Sequence, residues 1–319
     1  MNEPRIIFMG TPEFAVASLD TLVQEGYNIV GVVTAPDKPA GRGMKLNESA
    51  VKKYALEKGL KLLQPVKLKD AAFLDELRSL KADLQIVVAF RMLPDLVWNM
   101  PALGTINLHG SLLPQYRGAA PINWALINGE TETGVTTFRL KHEIDTGDIL
   151  MQESFLIGED ETAGEVHDRM MHIGAQLLVR TVKGLSDGSL VPLPQKILVE
   201  DQHPKESSIR HAPKINTETC RINWSQTIEQ VHNLVRGLSP FPGAFTTLNE
   251  KMVKVYQTKK EMVFPAHTEG DLVTDGKLFL KFACSNGYLH LLEIQMEGKK
   301  KMDITEFLRG YRFNNEPSE

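Results

Sequence analysis

The strand-like run Thr105–Leu108 carries Asn107 within it and His109 directly after it. Side chains two apart on a strand leave the same face, so these two emerge side by side. An amide N–H can donate to a developing oxyanion. An imidazole can add a second donor or carry a proton. A third candidate stands in HEIDTGDIL, residues 142–150, where Asp145 precedes Thr146-Gly147. A carboxylate there can fix the imidazole and accept a proton from a nucleophile, directly or through water. Asn107, His109 and Asp145 together suit acyl transfer. Each also has a plainer reading: a loop-satisfying asparagine, a hydrogen-bonded histidine at a sheet end, and an aspartate that stabilises a turn.

Ser111 lies close enough to His109 for a serine hydrolase to be considered. No Gly-x-Ser-x-Gly elbow is present, and Ser111 sits past the strand in a proline-containing loop. MGTPEF, after the first strand, has the look of a nucleotide loop but lacks Gly-x-Gly-x-x-Gly, and there is no Walker sequence. Cys220 and Cys284 are the only cysteines. Two scattered thiols give little support to a cysteine-based zinc site, and no metal is expected.

These residues need a scaffold. Arg5–Met9, Asn28–Ala35, Asp83–Phe90 and Thr105–His109 read as apolar strands, with helices over about 12–25, 49–58 and 70–80 between them. Thr11 and Pro12 suit the first helix as cap and first residue. Such alternation implies a mostly parallel, Rossmann-like α/β sheet covered on both faces. In open sheets of this kind, ligands bind at the carboxyl ends of the strands, where His109 stands. Extended runs at Gly134–Leu140 and Ile149–Ile157 precede a helix over about 163–185. Pro192, Pro194, Pro204 and Pro213 then break the pattern. Past a short helix at about 227–237 come five strand-like runs separated by turns, which suggest a small OB-like β-barrel. The expected division is residues 1–190, a linker over 191–210, and a C-terminal domain over 211–319.

With 319 residues, 42% hydrophobic and 24% charged, the chain suits a soluble globular protein of two domains. No apolar run approaches the roughly 20 residues of a membrane span. The apolar stretch after Arg5 is too short for a signal-peptide core. A cytoplasmic protein with no membrane contact is expected. The C-terminal part carries a slight positive excess and the rest a negative one. That permits a nucleic-acid partner without demanding one.

The stretch INLHGSLLPQYRGAAPINWALINGETETGVT, followed by IDTGDIL, closely resembles the formyltransferases that use 10-formyltetrahydrofolate. FMGTPEFA, PDKPAGRGMKL and EGKKKM resemble the members of that family that act on initiator tRNA. The resemblance runs from about residue 5 to about 308. It implies that Asn107, His109 and Asp145 are catalytic and that Ser111, Leu112, Leu113 and Pro114 form the folate-site loop. It implies 10-formyltetrahydrofolate as formyl donor and initiator methionyl-tRNA as acceptor. It also implies that the insertion 36–48, with Lys38, Arg42 and Lys45, contacts RNA, with Arg42 near the acceptor end. Lys299 and Lys300 would add attraction from the second domain. A monomer is the expected state. One departure is Arg91 in IVVAFRMLP, where many relatives carry a small residue near the pterin pocket; its plainer reading is a solvent-facing side chain. Alternatives remain: formyl transfer to a sugar or small amine, hydrolysis of the formyl donor, or RNA binding on an inactive scaffold.

Overall fold

The computed structural model describes residues 3–40, 45–197 and 209–311. The chain divides into two compact units. One comprises Met1–Gly118, Thr133–Phe155 and His167–His211; the other comprises Ala119–Glu132, Leu156–Val166 and Ala212–Glu319.

The first unit is built on seven strands: β1 Ile6–Gly10, β2 Ile29–Val33, β5 Leu62–Leu63, β6 Leu84–Val88, β7 Thr105–His109, β9 Glu132–Arg139 and β10 Ile149–Leu156. They lie in the order β10-β9-β7-β6-β1-β2-β5. The pairs from β5 through β7 are parallel, and β7 pairs antiparallel with β9. Ile6, Ile7, Phe8 and Met9 are all fully buried, as are Leu84, Ile86 and Val88. Strands that are apolar on both faces need covering on both, and the connecting helices Glu13–Gln24, Ala50–Glu57 and Ala71–Ser79 supply the cover. Ser49 and Asp70 cap the second and third of these through Lys52 N and Phe73 N. The first starts one residue later than its sequence suggests. Pro12 itself takes the cap position and, lacking a side-chain acceptor, makes no cap bond.

Parallel pairing brings the ends of β1, β6 and β7 to one edge. At the base of the insertion 36–48, β3 Lys38–Ala40 and β4 Lys45–Asn47 pair antiparallel as the arms of a hairpin. Lys52 Nζ ties its two ends by bonding Asp37 and, at 2.7 Å, Glu48. Hydrogen bonds from Lys52 and Gln64 hold the Asp37 carboxyl below the usual carboxylate range.

The second unit centres on an antiparallel sheet. Its strands are β12 Ala244–Leu248, β13 Lys251–Glu261, β14 Leu272–Thr274, β15 Leu280–Cys284, β16 Gly287–Met296 and β17 Met302–Asp303. The order is β12-β13-β16-β15-β14, with β17 also on β16. Register shifts around Gln257 interrupt the β13–β16 ladder. Such bulges bend and twist a strand, and the sheet curls into a half-barrel, consistent with the small barrel expected of this part. The helix Ile228–Gly237 buries Ile228, Val231 and Val235 in one core with Val253, Val255, Leu289 and Ile294. Trp224 stacks on Phe282 with ring centroids 4.1 Å apart.

That helix begins with a reciprocal capping box. Thr227 Oγ1 accepts from Gln230 N at 3.2 Å, and Gln230 Oε1 accepts from Thr227 N at 3.1 Å. Removing such a cap costs about 1 kcal/mol. Thr227→Ala should therefore lower unfolding stability by about 1 kcal/mol, and Thr227→Ser should recover most of it. A urea titration followed by tryptophan fluorescence in a Trp98→Phe, Trp124→Phe background, which leaves Trp224 as the sole tryptophan, checks this; equal midpoints with and without Thr227→Ala would refute the cap's role.

Candidate active site

β7 ends with Asn107 half-buried and His109 nine-tenths buried. They stand at the carboxyl end of the strand and leave the same face of the sheet, as the two-residue period requires. In the ladder Asn107 lies opposite Val87 on β6 and Phe138 on β9, and His109 lies opposite Thr136. The Phe138 ring meets the imidazole edge-on at 6.4 Å between centroids. The Asn107 side-chain amide makes no hydrogen bond among the described residues, so its donors are available to a ligand.

The protonation of the imidazole can be read from its partner. His109 Nε2 lies 2.9 Å from the carbonyl oxygen of Tyr116. A carbonyl only accepts, so Nε2 carries the hydrogen and donates it. Nδ1 is left to face Asp145, whose Oδ2 is 3.9 Å away. That exceeds a hydrogen bond; catalytic pairs are often this loose before substrate tightens them. Asp145 Oδ2 also accepts from Gly118 N at 2.9 Å. Asp145 takes a left-handed backbone, φ 55°, a conformation that Asp tolerates better than most residues. Gly147 follows because a Cβ there would lie 1.6 Å from Arg139 O.

One short segment, residues 115–118, thus supplies the acceptor for His109 and a donor for Asp145. It is held at its start by the loop before it and by Arg210. Tyr116 N donates to Arg210 O at 2.6 Å, and Arg210 N donates to Gln115 Oε1 at 2.9 Å. Ser111 is fully buried and its hydroxyl donates to Gln115 O at 2.6 Å. Thr136 Oγ1 donates to Ser111 O at 2.7 Å and accepts from Leu113 N and Gln152 Nε2. Gln152 Nε2 also reaches Leu113 O at 2.8 Å. Leu113 and Pro114 are buried and Leu112 is half-buried. Ser111 does not touch His109: each bonds a different carbonyl. That removes the geometric basis for a serine nucleophile.

The remaining sequence-selected residues belong to other segments of the chain. Lys38 is exposed on β3, and Lys45 lies on β4. Arg42 falls outside the described residues. Lys299 and Lys300 are exposed past the end of β16. Arg91 does not simply face solvent: its guanidinium donates to the carbonyls of Pro65 and, at 3.0 Å, Val66, tying the loops after β5 and β6 together. Sequence reasoning missed two residues that bind the site together. Tyr116 acts through its backbone, which no side-chain pattern reveals. Gln195 stands in the stretch read as linker, and its side chain bonds Arg117, Asp145 and Gly147. Among the described residues no helix is long and apolar enough to cross a membrane.

Comparison with known proteins gives a consistent result. Residues 4–182 match the family model described as formyl transferase, and residues 214–312 match that of the formyl transferase C-terminal domain. The chain is 52% identical over 312 residues to the methionyl-tRNA formyltransferase of Bacteroides fragilis, covering 96% of this chain and 95% of that one. It is 53% identical over 314 residues to the protein of the same name from Parabacteroides distasonis, covering 97% and 96%. Among solved structures, WlaRD, a sugar 3N-formyl transferase determined with dTdp and 5-N-Formyl-THF, shares the fold. Its TM-score is 0.67 at 19% identity, over 94% of this chain and all of that one. HypX from Aquifex aeolicus, in complex with tetrahydrofolic acid, matches with a TM-score of 0.65 at 19% identity. That match covers 98% of this chain, which spans about half of the HypX chain (49%). An Asn–His–Asp cluster at the carboxyl edge of a parallel sheet, joined to a curled antiparallel domain, is thus accounted for over nearly the whole length: this chain belongs to the formyl transferase family.

Proposed function

We propose that the chain transfers a formyl group from 10-formyltetrahydrofolate to the α-amino group of methionyl initiator tRNA. The observation that carries the reading is the juxtaposition of a free amide, an imidazole with one committed nitrogen, and a carboxylate at one sheet edge. The near-full-length relatives named for this reaction, at about half identity, select the acceptor. The tetrahydrofolate in HypX and the folate derivative with WlaRD support the donor. The loop from Ser111 to Pro114, stapled to β9 by Thr136, is the wall we assign to the folate.

The donor supplies an activated formyl carbon. The amine must be neutral to attack, and its surplus proton must leave as the new C–N bond forms. Asp145, with Oδ2 facing the imidazole, is placed to take that proton directly or through His109 Nδ1. The carbonyl oxygen becomes an oxyanion at the same moment. Asn107, whose amide bonds no acceptor among the described residues, donates to it. When the intermediate collapses, the bond to the folate nitrogen breaks and that nitrogen takes up a proton. His109 can return it, since the Tyr116 carbonyl keeps the ring oriented throughout.

Asn107→Ala should reduce kcat by roughly 100–1,000-fold, the usual cost of a lost oxyanion donor. Asp145→Asn preserves the turn, which Asn also suits, yet should transfer formyl very slowly. Both should still bind a non-reactive folate analogue. Turnover close to wild type in either would reject its assigned role.

The acceptor is tested separately. Charged initiator tRNA should be formylated far faster than a nucleotide-linked sugar amine; the reverse preference would move the chain to the sugar-modifying branch. Phosphate contacts release counterions, so kcat/KM for tRNA should fall steeply with salt. The double variant K299A/K300A and, separately, Arg42→Ala should flatten that slope. Slopes equal to wild type would remove these lysines and Arg42 from the RNA contact.

A further inference from the structure

Gln195 is almost fully buried, 3% exposed, at the first helical residue after Pro194. A buried primary amide must satisfy two donors and an acceptor. This one does so entirely within the neighbourhood of Asp145. Its Nε2 donates to Asp145 O at 2.9 Å and to Gly147 O at 2.8 Å. Its Oε1 accepts from Arg117 Nε at 3.1 Å and Arg117 Nη2 at 2.6 Å. The orientation of the amide is forced: backbone carbonyls only accept and a guanidinium only donates, so exchanging nitrogen and oxygen would break every one of these bonds.

The register that delivers the side chain is also set. Leu193 and Ile149 exchange both backbone hydrogen bonds, each 2.8 Å, as an isolated antiparallel bridge. The bridge anchors the chain two residues before Gln195, beside the turn that its side chain reaches. The turn it grips holds Asp145 at a positive φ. Non-glycine residues in sparsely populated backbone regions persist only where their surroundings over-determine them. Gln195 grips this turn on both sides of Thr146. Through Arg117 it also reaches the segment whose carbonyl orients His109 and whose Gly118 N–H bonds the Asp145 carboxylate.

We infer that Gln195 is a positioning residue for the formyl-transfer reaction, which sets the Asp145 carboxylate relative to His109 by clamping the backbone of residues 145–147. The inference rests on the proposed role of Asp145. Gln195 touches no reacting atom in this scheme; its effect passes through the turn.

The test is a double-mutant cycle on the full-length enzyme with charged initiator tRNA. Gln195→Met keeps the volume and removes all four bonds. Gln195→Glu keeps an acceptor for Arg117 and removes both donors to the turn. Each should lower kcat by roughly 10–100-fold, the scale of a catalytic group displaced by about 1 Å, with KM for the formyl donor within about threefold of wild type. In an Asp145→Asn background the same changes should cost less than about threefold, because residues that act as a unit are non-additive. Full losses in both backgrounds would show a general structural role and overturn the inference. So would folded single variants with wild-type kcat, or failure of both variants to fold. If Asp145→Asn itself proved fully active, the catalytic reading of Asp145 would fall instead, and the two failures would be distinguishable.

Discussion

The site depends on one hydrogen bond whose direction chemistry leaves no freedom to reverse. The Tyr116 carbonyl can only accept, so it fixes the hydrogen of His109 on Nε2 and turns Nδ1 towards Asp145. An imidazole without that anchor could flip or change tautomer. The surrounding protein keeps the carbonyl still. Tyr116 is itself buried and takes a left-handed backbone, φ 60°. Arg210 receives its N–H, and Ser111 holds the carbonyl of the preceding residue. The rigidity of the loop after β7 is therefore a chemical requirement as much as a packing one.

The same economy recurs around the cluster, where side-chain groups with fixed donor or acceptor character hold irregular backbone in place. Thr136 uses its hydroxyl as donor and acceptor at once, on one strand, for a loop that has no ladder of its own. Gln152 adds a second tie from β10. Buried irregular segments leave polar backbone groups that regular structure would otherwise satisfy. Here β9 and β10, the two strands added beyond the parallel run, supply the missing partners. Their place at the β7 side of the sheet is what lets them reach the loop.

Much of this was legible in the chain. Strict period-two spacing put Asn107 and His109 on one face, and continuous apolar runs such as Leu84–Val88 marked a sheet covered on both sides. Turn residues between short strands marked the curled C-terminal sheet. What could not be read were bonds made by backbone atoms or by residues remote in sequence. No periodicity distinguishes the carbonyl of Tyr116 from any other. Gln195 lies among prolines that signal a connector, and nothing local shows that it is buried. The pairing of β3 with β4 was hidden by glycines and prolines that suggested a loose loop. The guanidinium of Arg91 found two carbonyls that only the folded chain brings within reach.

The hairpin formed by β3 and β4 is fastened where it leaves the sheet. Lys52 joins Asp37 to Glu48, Gln64 bonds Asp37 and Ala35, and Thr34 meets Ser49 at 2.8 Å. None of these bonds involves the residues that orient His109 or Asp145. The two systems share no hydrogen bond among those residues, and lengthening a loop whose ends are already fixed adds little entropic cost. The fastening of the arm's base therefore places no constraint on the hydrogen bonds that orient His109 and Asp145. A change that loosens the base of the arm thus leaves the bonds around the imidazole and the carboxylate in place.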